Sequence, residues 1–250
     1  MFEQLGFKMG LKPDKKDHRD FVMSLPPLDQ ELPTKFDLKD KIKIIFKQRF
    51  NDCSSNVIVN CIMALRNDNK EVSRLFQYFN SRYVHDPVFI CDEGSSYRDA
   101  LKALQKFGFV FEEDWGYTDE HLDQQPDEKT YAIGEQNKFF IRSYRKIYPN
   151  EQNIKQTLFL GHLIMFGVAI YTSFLHLDDN FCVPMPNKAS ESLVGFHAVL
   201  MCGYNDDFGF LCCNSWGREW ADSGFFYLPF KYVLDPDLAS DFWVIDRNAI

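Results

Sequence analysis

The segment "QRFNDCSSNVIVNCIMAL", residues 48–65, contains two cysteines in different settings. Apolar residues at 57, 58, 61, 62 and 65 recur with a helical period, so the segment predicts an amphipathic helix that buries Cys61. Cys53 stands at the front of this helix, after polar and turn-forming residues. A helix N-terminus has unpaired N–H groups and a positive dipole end, which stabilise a thiolate. Although most cysteines are buried and inert, this position predicts a partly exposed, ionised and nucleophilic Cys53.

The rest of the first half of the chain also predicts helices. "EVSRLFQYFNSRYV" (71–84) and "SSYRDALKALQKFG" (95–108) have the same helical period of apolar residues. In the second of these segments Ser96 and Asp99 have the spacing of a capping box, and Gly108 marks the C-terminal end.

The second half predicts strands. After a helix near "NEQNIKQTLFLG" (150–161) come runs rich in branched and aromatic residues, separated by Gly, Asn and Asp turns: "HLIMFGVAIYT", "VGFHAVLMCGY", "FGFLCCNSW", "GFFYLPF" and "DFWVI". Helices followed by strands indicate an α+β protein with an antiparallel sheet. We predict an N-terminal arm over 1–30, a mainly helical lobe over 31–145 and a mainly β lobe over 146–250.

Composition narrows the classes of function. The net charge of −8 disfavours nucleic acid as a partner, because phosphate binding needs a basic face. No apolar run approaches the length of a membrane span, and the first residues lack a secretory signal, so we expect a cytoplasmic protein, or one packaged in a particle if the chain is viral. The seven cysteines form no CxxC pair, so we expect reduced thiols, no metal site and no cofactor.

A nucleophilic thiol needs a base to take its proton and a group that orients the base. His197 lies in the predicted strand "VGFHAVLMCGY", and Asn214 begins a turn in "CCNSWGREWADSGFFYLP". Taken singly, a histidine in an apolar strand is more often a core residue, and an aromatic turn is unremarkable. The three stretches together change that interpretation.

A cysteine at a helix start, followed by "HAVLMCGY" and "NSWGREWADSGFFYLP", closely resembles the papain-like cysteine proteases, the cathepsins included. The resemblance runs from about Leu32 to Ile245. It is strongest to compact bacterial and large-virus members, and "LPTKFDL" (32–38) resembles the start of the mature enzyme in this family. The resemblance implies a papain-like two-lobed fold, with the cleft between a helical lobe and an antiparallel sheet or barrel.

The resemblance also implies a role for each matching residue. Cys53 is expected to be the nucleophile, His197 the acid–base group and Asn214 the residue that orients the imidazole. Gln48 and the Cys53 backbone N–H are expected to stabilise the oxyanion. The residues expected to border a polypeptide substrate are Gly94, Ser95, Phe196 and Trp216.

The sequence departs from the family pattern beside the nucleophile. Gln48 lies five residues before Cys53, where the family usually has six, and Asp52 places a carboxylate next to the thiol. Two alternatives therefore stay open: a catalytically impaired papain-fold binding protein, and another Cys-His acyl transferase or amidase. The sequence indicates neither the natural substrate nor the oligomeric state.

Overall fold

Helices are the main regular elements in the first half of the chain. The computed structural model describes residues 6–247, and the predicted helices begin and end as follows: α1 Cys53–Arg66, α2 Arg74–His85, α3 Tyr97–Phe107 and α5 Glu151–Phe159. Two more helices were not predicted from the sequence: α4 Glu128–Asn137 and the short α6 Phe230–Leu234. The predicted α+β class is confirmed, and apart from the short β1 the strands follow α1 to α4 in the chain.

The start of α3 shows how local sequence sets a helix boundary. The Ser96 hydroxyl accepts a hydrogen bond from the Asp99 backbone N–H at 3.1 Å and donates one to the Asp99 carboxylate at 2.9 Å. Gly108 ends the helix with a φ of 69°, a conformation that glycine adopts without steric cost. Both predicted signals are confirmed.

Seven strands form one antiparallel sheet: β1 Lys35–Asp37, β2 Ile141–Lys146, β3 Ile164–Tyr171, β4 Leu193–Asn205, β5 Gly209–Cys213, β6 Phe225–Leu228 and β7 Ala239–Arg247. The main order is β2-β7-β3-β4-β5-β6, and β1 pairs with β4. The sheet does not close, so of the two predicted forms it is the sheet and not the barrel.

β1 and all but the last residue of β2 lie within residues 31–145, the part of the chain that the sequence predicts to be mainly helical. β1 has only three residues, and β2 is an edge strand with one fully buried residue, Ile141. Short or exposed strands lack the alternating apolar pattern that identifies a strand in a sequence. Both pair with strands of the second half, so the chain crosses between its two parts more often than the predicted division suggests.

The long strand β4 separates the two main parts of the core. Ala198, Leu200 and Cys202 belong to the cluster that contains α1. The intervening Val199 and Met201 belong to the cluster that contains α5 and α6, because successive side chains of a strand point to opposite faces. Helix α1 is buried from Cys53 to Ala64, so it is a central helix rather than a surface one.

All seven cysteines are free thiols, as expected for reduced cysteines. Within residues 6–247, no helix combines the length and apolar character needed to cross a membrane.

We predict that Ser96→Ala lowers the free energy of unfolding by about 1 kcal/mol, because the first turn of α3 loses its cap. Urea denaturation measures the change. Lys102→Ala, at an exposed position of the same helix, is the control and should change the free energy by less than about 0.5 kcal/mol. Equal losses in the two variants would contradict the capping argument.

Candidate active site

Cys53 is the first residue of α1, and its sulfur faces strand β4. The backbone groups of Ala198 and Gly10 lower the pKa of the thiol, which places Cys53 beside the strand that holds His197. The predicted position at a helix start is therefore confirmed. The helix begins here because Asp52 leaves helical geometry, and the Asp52 carbonyl accepts the first helical bond, from the Asn56 N–H at 3.0 Å.

His197 and Asn214 are hydrogen-bonded to each other. His197 lies on β4, and Asn214 is the first residue after β5. His197 Nε2 donates to Asn214 Oδ1 at 2.8 Å, and the same oxygen accepts from the Ser215 N–H at 2.8 Å. Both side chains are buried. The Trp216 ring lies over the imidazole, with 4.9 Å between ring centroids, and covers this bond from solvent. Asn214 thus fixes the imidazole with Nε2 protonated, which leaves Nδ1 as the basic nitrogen.

The segment after β5 that contains Asn214 also holds Gln48. Its backbone N–H donates to the Ser215 carbonyl at 2.9 Å, and its side-chain Oε1 accepts a hydrogen bond from the Ser215 hydroxyl. The Gln48 amide nitrogen is therefore turned toward the cleft, where it donates to the carbonyls of Phe50 at 3.0 Å and Lys8 at 3.2 Å. The neighbouring Asn51 side chain points elsewhere, because its amide donates to the Asp92 carbonyl at 2.7 Å.

The N-terminal arm occupies the cleft. Phe7 stacks on Trp216 with 4.4 Å between ring centroids, and the buried Leu11 reaches Gly167 on β3. Between these anchors, the Lys8 carbonyl accepts from the Gln48 amide and, at 3.4 Å, from the indole N–H of Trp216. The arm therefore covers the region between Trp216 and Gly167.

The arm pairs with the predicted substrate-bordering segment as an extended strand would. The Ser95 N–H donates to the Gly10 carbonyl at 2.9 Å, and the Lys12 N–H donates to the Ser95 carbonyl at 3.1 Å. A Cβ on Gly94 would lie 1.8 Å from the Gly10 carbonyl oxygen, so glycine is required there for this approach. Phe196 contributes its backbone carbonyl, which accepts from the Leu11 N–H at 3.2 Å, while its ring packs against the core.

Polar contacts hold the arm beyond the cleft. The Asp14 carboxylate accepts hydrogen bonds from the Arg98 backbone N–H and from the Trp243 indole, each at 2.9 Å. Asp20 forms a two-pronged ion pair with the Arg98 guanidinium. Farther along, the Met23 N–H donates to the Lys146 carbonyl at 2.8 Å. The arm is thus an integral part of the closed structure.

One prediction about Cys53 is wrong for this closed structure. The thiol is fully buried, with 0% of its surface exposed, and not partly exposed. Burial raises the pKa of Cys53 to about 12 and lowers the pKa of His197 to about 4, since both charged forms lose hydration. In the closed form the pair is therefore a neutral thiol and a neutral imidazole at neutral pH.

Sequence reasoning missed the arm residues that enter the cleft, Gly10 and Leu11 above all. The segment "GFKMGLKP" has no periodic pattern, and its contacts are made mainly by backbone groups, which every residue carries. Tyr117 was also missed; its hydroxyl donates to the Asp52 carboxylate at 2.9 Å. Among the described residues, no group of three or more His, Cys, Asp or Glu side chains could hold a metal ion.

Comparison with solved structures places this fold among cysteine proteases. Xylellain, a cysteine protease from Xylella fastidiosa, superposes with a TM-score of 0.88 at 29% identity, over 96% of each chain. A procathepsin B from Trypanosoma congolense superposes with a TM-score of 0.69 over 100% of this chain and 89% of its own, at 14% identity, which is evidence of fold alone.

Sequence comparison agrees. An uncharacterized peptidase C1-like protein of Acanthamoeba polyphaga mimivirus is 30% identical over 254 residues, covering 94% of this chain and 81% of its own. The family model described as papain family cysteine protease matches residues 32–233. The resemblance inferred from the motifs is confirmed: the chain belongs to the papain family of cysteine proteases and is a papain-like cysteine peptidase.

Proposed function

We propose that this peptidase cleaves its polypeptide substrates through a thioester acyl-enzyme, with Cys53, His197 and Asn214 as the catalytic set. The observation that carries the proposal is the 2.8 Å bond from His197 Nε2 to Asn214 Oδ1, behind a thiol that begins a helix. This arrangement leaves one imidazole nitrogen free to exchange a proton with sulfur.

The steps follow from the groups at the site. The Cys53 thiolate attacks the carbonyl carbon of the scissile peptide bond, and the developing oxyanion accepts hydrogen bonds from the Gln48 amide and the Cys53 N–H. The His197 imidazolium donates its proton to the leaving amine, which departs and leaves the thioester. His197 then takes a proton from water as the water attacks the thioester, which releases the acid product and the Cys53 thiolate and so restores the thiolate–imidazolium pair.

Two observations support Gln48 over Asn51 as the oxyanion donor. The Ser215 hydroxyl binds Gln48 Oε1, which commits the amide N–H groups to the cleft. The Lys8 carbonyl that Gln48 binds in the closed form is also a carbonyl of an extended backbone, as a substrate carbonyl is. The segment from Gln48 to Cys53 is one residue shorter than is usual in the family, and these contacts are compatible with a Gln48 amide that reaches the oxyanion.

We also propose that the arm over 1–30, whose described part starts at residue 6, is an inhibitory segment. It fills the cleft, covers the thiol and, by excluding water, keeps Cys53 and His197 uncharged. When the arm leaves, hydration of both groups favours the thiolate–imidazolium pair, so opening restores both access and reactivity. Its three backbone hydrogen bonds to Ser95 and Phe196 support this proposal.

A cytoplasmic or particle-packaged location stays a prediction.

In a chain whose arm has been released, the proposed mechanism predicts that an epoxide probe for cysteine peptidases labels Cys53 and that Cys53→Ser abolishes both labelling and peptide hydrolysis. Mass spectrometry of the labelled peptide locates the modified thiol, and Cys182→Ser, at a half-buried thiol outside the cleft, is the control. A chain with Cys53 intact and the arm released that binds peptides tightly without any turnover would favour the binding-protein alternative. Transfer of the acyl group to an added amine in preference to water would favour an acyl transferase.

The proposed inhibition predicts that Gly10→Val activates the full-length chain. A Cβ at this position would lie 2.0 Å from the Asn51 carbonyl oxygen, and backbone there cannot shift cheaply. An overpacking cost of about 1–3 kcal/mol shifts the closing equilibrium by roughly 5- to 150-fold. Hydrolysis of a fluorogenic peptide measures the gain.

The control for this prediction is Lys16→Val, at an exposed position of the same arm, which should leave the rate unchanged. Thermal unfolding separates release of the arm from loss of the fold. If Gly10→Val keeps the fold and stays as slow as the parent, the arm does not limit activity.

The role of Gln48 predicts that Gln48→Ala, made in the Gly10→Val background, loses roughly 10²- to 10³-fold in kcat with little change in KM. The reason is that the contact with the carbonyl oxygen strengthens mainly in the transition state. Steady-state kinetics of the matched variant Asn51→Ala provide the comparison. Loss in Asn51→Ala without loss in Gln48→Ala would show that the assignment of the donor is wrong.

A further inference from the structure

Asp52 is a buried carboxyl group that the mechanism does not use. It directly precedes Cys53 and is fully buried, yet its side chain does not cap α1. The Tyr117 hydroxyl donates to Asp52 Oδ2 at 2.9 Å, while Oδ1 has no hydrogen-bond partner within residues 6–247. An ionised carboxylate with an unpartnered oxygen in such a place is costly. Burial accordingly raises the pKa of Asp52 to about 7.

The surroundings of Asp52 offer only partial compensation for a negative charge. On the side of α2, Arg74 lowers the pKa of Asp52, but its guanidinium lies 3.5 Å from the centroid of the Tyr117 ring and also pairs with Glu71 at 3.5 Å. The positive charge of Arg74 also acts on Glu112, where it opposes the rise in pKa that burial causes. Within α1, Asn56 directs its amide to the Asp52 backbone carbonyl, at 2.9 Å.

Another titratable neighbour of Asp52 is the nucleophile itself. A negative Asp52 raises the pKa of Cys53, and a Cys53 thiolate reciprocally disfavours ionisation of Asp52. The two groups are adjacent in sequence at the start of one helix, so a conformational change of the arm cannot separate them. Only one of the two can readily be negative at a time.

We propose that Asp52 is a protonation gate on the nucleophile: its neutral form permits the Cys53 thiolate, and its ionisation at higher pH converts the reactive pair into an unreactive one. The inference rests on the proposed role of Cys53. Asp52 is a positioning residue in this scheme, since it acts on substrate only through the sulfur.

The proton balance of the gate is simple. Below the transition the open site holds a neutral Asp52, a Cys53 thiolate and a His197 imidazolium. Above it the site holds an Asp52 carboxylate, a Cys53 thiol and a neutral imidazole. One proton leaves to solvent from Asp52, and the imidazolium proton moves to sulfur. Activity therefore falls as pH rises through the transition, and the upper edge of the pH profile belongs to the carboxyl group.

The test is Asp52→Asn, a neutral group of the same shape, made in the full-length Gly10→Val chain. Below the transition the parent and the variant carry the same charge at this position, so the acid sides of their profiles should coincide. Above it, Asp52→Asn should keep a rate roughly 10- to 100-fold higher than the parent, a range within the Coulomb interaction of two charges a few ångströms apart. An unchanged alkaline side in Asp52→Asn would overturn the proposal.

Tyr117→Phe provides a second test, which also serves if Asp52→Asn fails to fold. Loss of the hydroxyl removes a donor that stabilises the carboxylate, so the pKa of Asp52 rises. The plateau of the rate against pH therefore extends to higher pH. Structural damage alone would lower the rate at every pH and would not extend the plateau. An alkaline side that stays in place or moves to lower pH in Tyr117→Phe would overturn the proposal.

Two readouts distinguish failure of the gate from failure of the proposed function. The first is the pH dependence of kcat/KM, and the second is the rate at which iodoacetamide alkylates Cys53, followed by mass spectrometry. Alkylation reports the thiolate without requiring peptide hydrolysis. Absence of hydrolysis with the expected shift in alkylation would refute the peptidase mechanism and leave the gate supported. If the parent and Asp52→Asn both hydrolyse peptide, and kcat/KM falls at the same alkaline pH in both, the gate is refuted and the peptidase mechanism stays supported.

Discussion

The packing of α1 against β4 is the contact on which the rest of the structure depends. Apolar residues of α1, including Ile58 and Ile62, share a core cluster with Ala198 and Leu200 of β4. This contact fixes the start of the helix against the strand, so that Cys53 lies beside the backbone of Ala198. A slip of one residue in β4 would exchange the faces of its side chains and remove His197 from the site. The chemistry is therefore positioned by a core that takes no part in it.

The arm shows how an enzyme cleft can be filled without a matching sequence motif. Its hydrogen bonds to Ser95, Phe196 and Gln48 use backbone groups of the arm, while Phe7, Met9 and Leu11 supply apolar side chains there. Glycine is needed on both sides of the closest approach, at Gly10 and Gly94. The extended backbone that lets the arm lie in the cleft is also the conformation in which the proposed substrate would pair with Ser95.

Electrostatics in the cleft depend on water as much as on residue type. With the arm in place, burial keeps both Cys53 and His197 neutral, and burial also raises the pKa of Asp52. In the proposed open form, water hydrates the thiolate–imidazolium pair, whereas Asp52 stays behind the helix start with its Tyr117 donor. Opening therefore separates two effects on the sulfur, desolvation by the arm and repulsion by the carboxylate, that act together in the closed form.

The sequence by itself determined the order of helices and strands, the capped start of α3, the position of Cys53 at a helix start and the family. These features depend on local periodicity, on capping pairs and on motifs such as "HAVLMCGY" and "NSWGREW", all of which can be read within short windows. Only the tertiary structure decided that the thiol is buried, that Gln48 rather than Asn51 has its amide turned into the cleft, and that β1 and β2 join the sheet. The physical reason is that each of these depends on contacts between segments far apart in the chain. Backbone hydrogen bonds of the arm and the loss of water around Cys53 leave no periodic trace in the residues that make them.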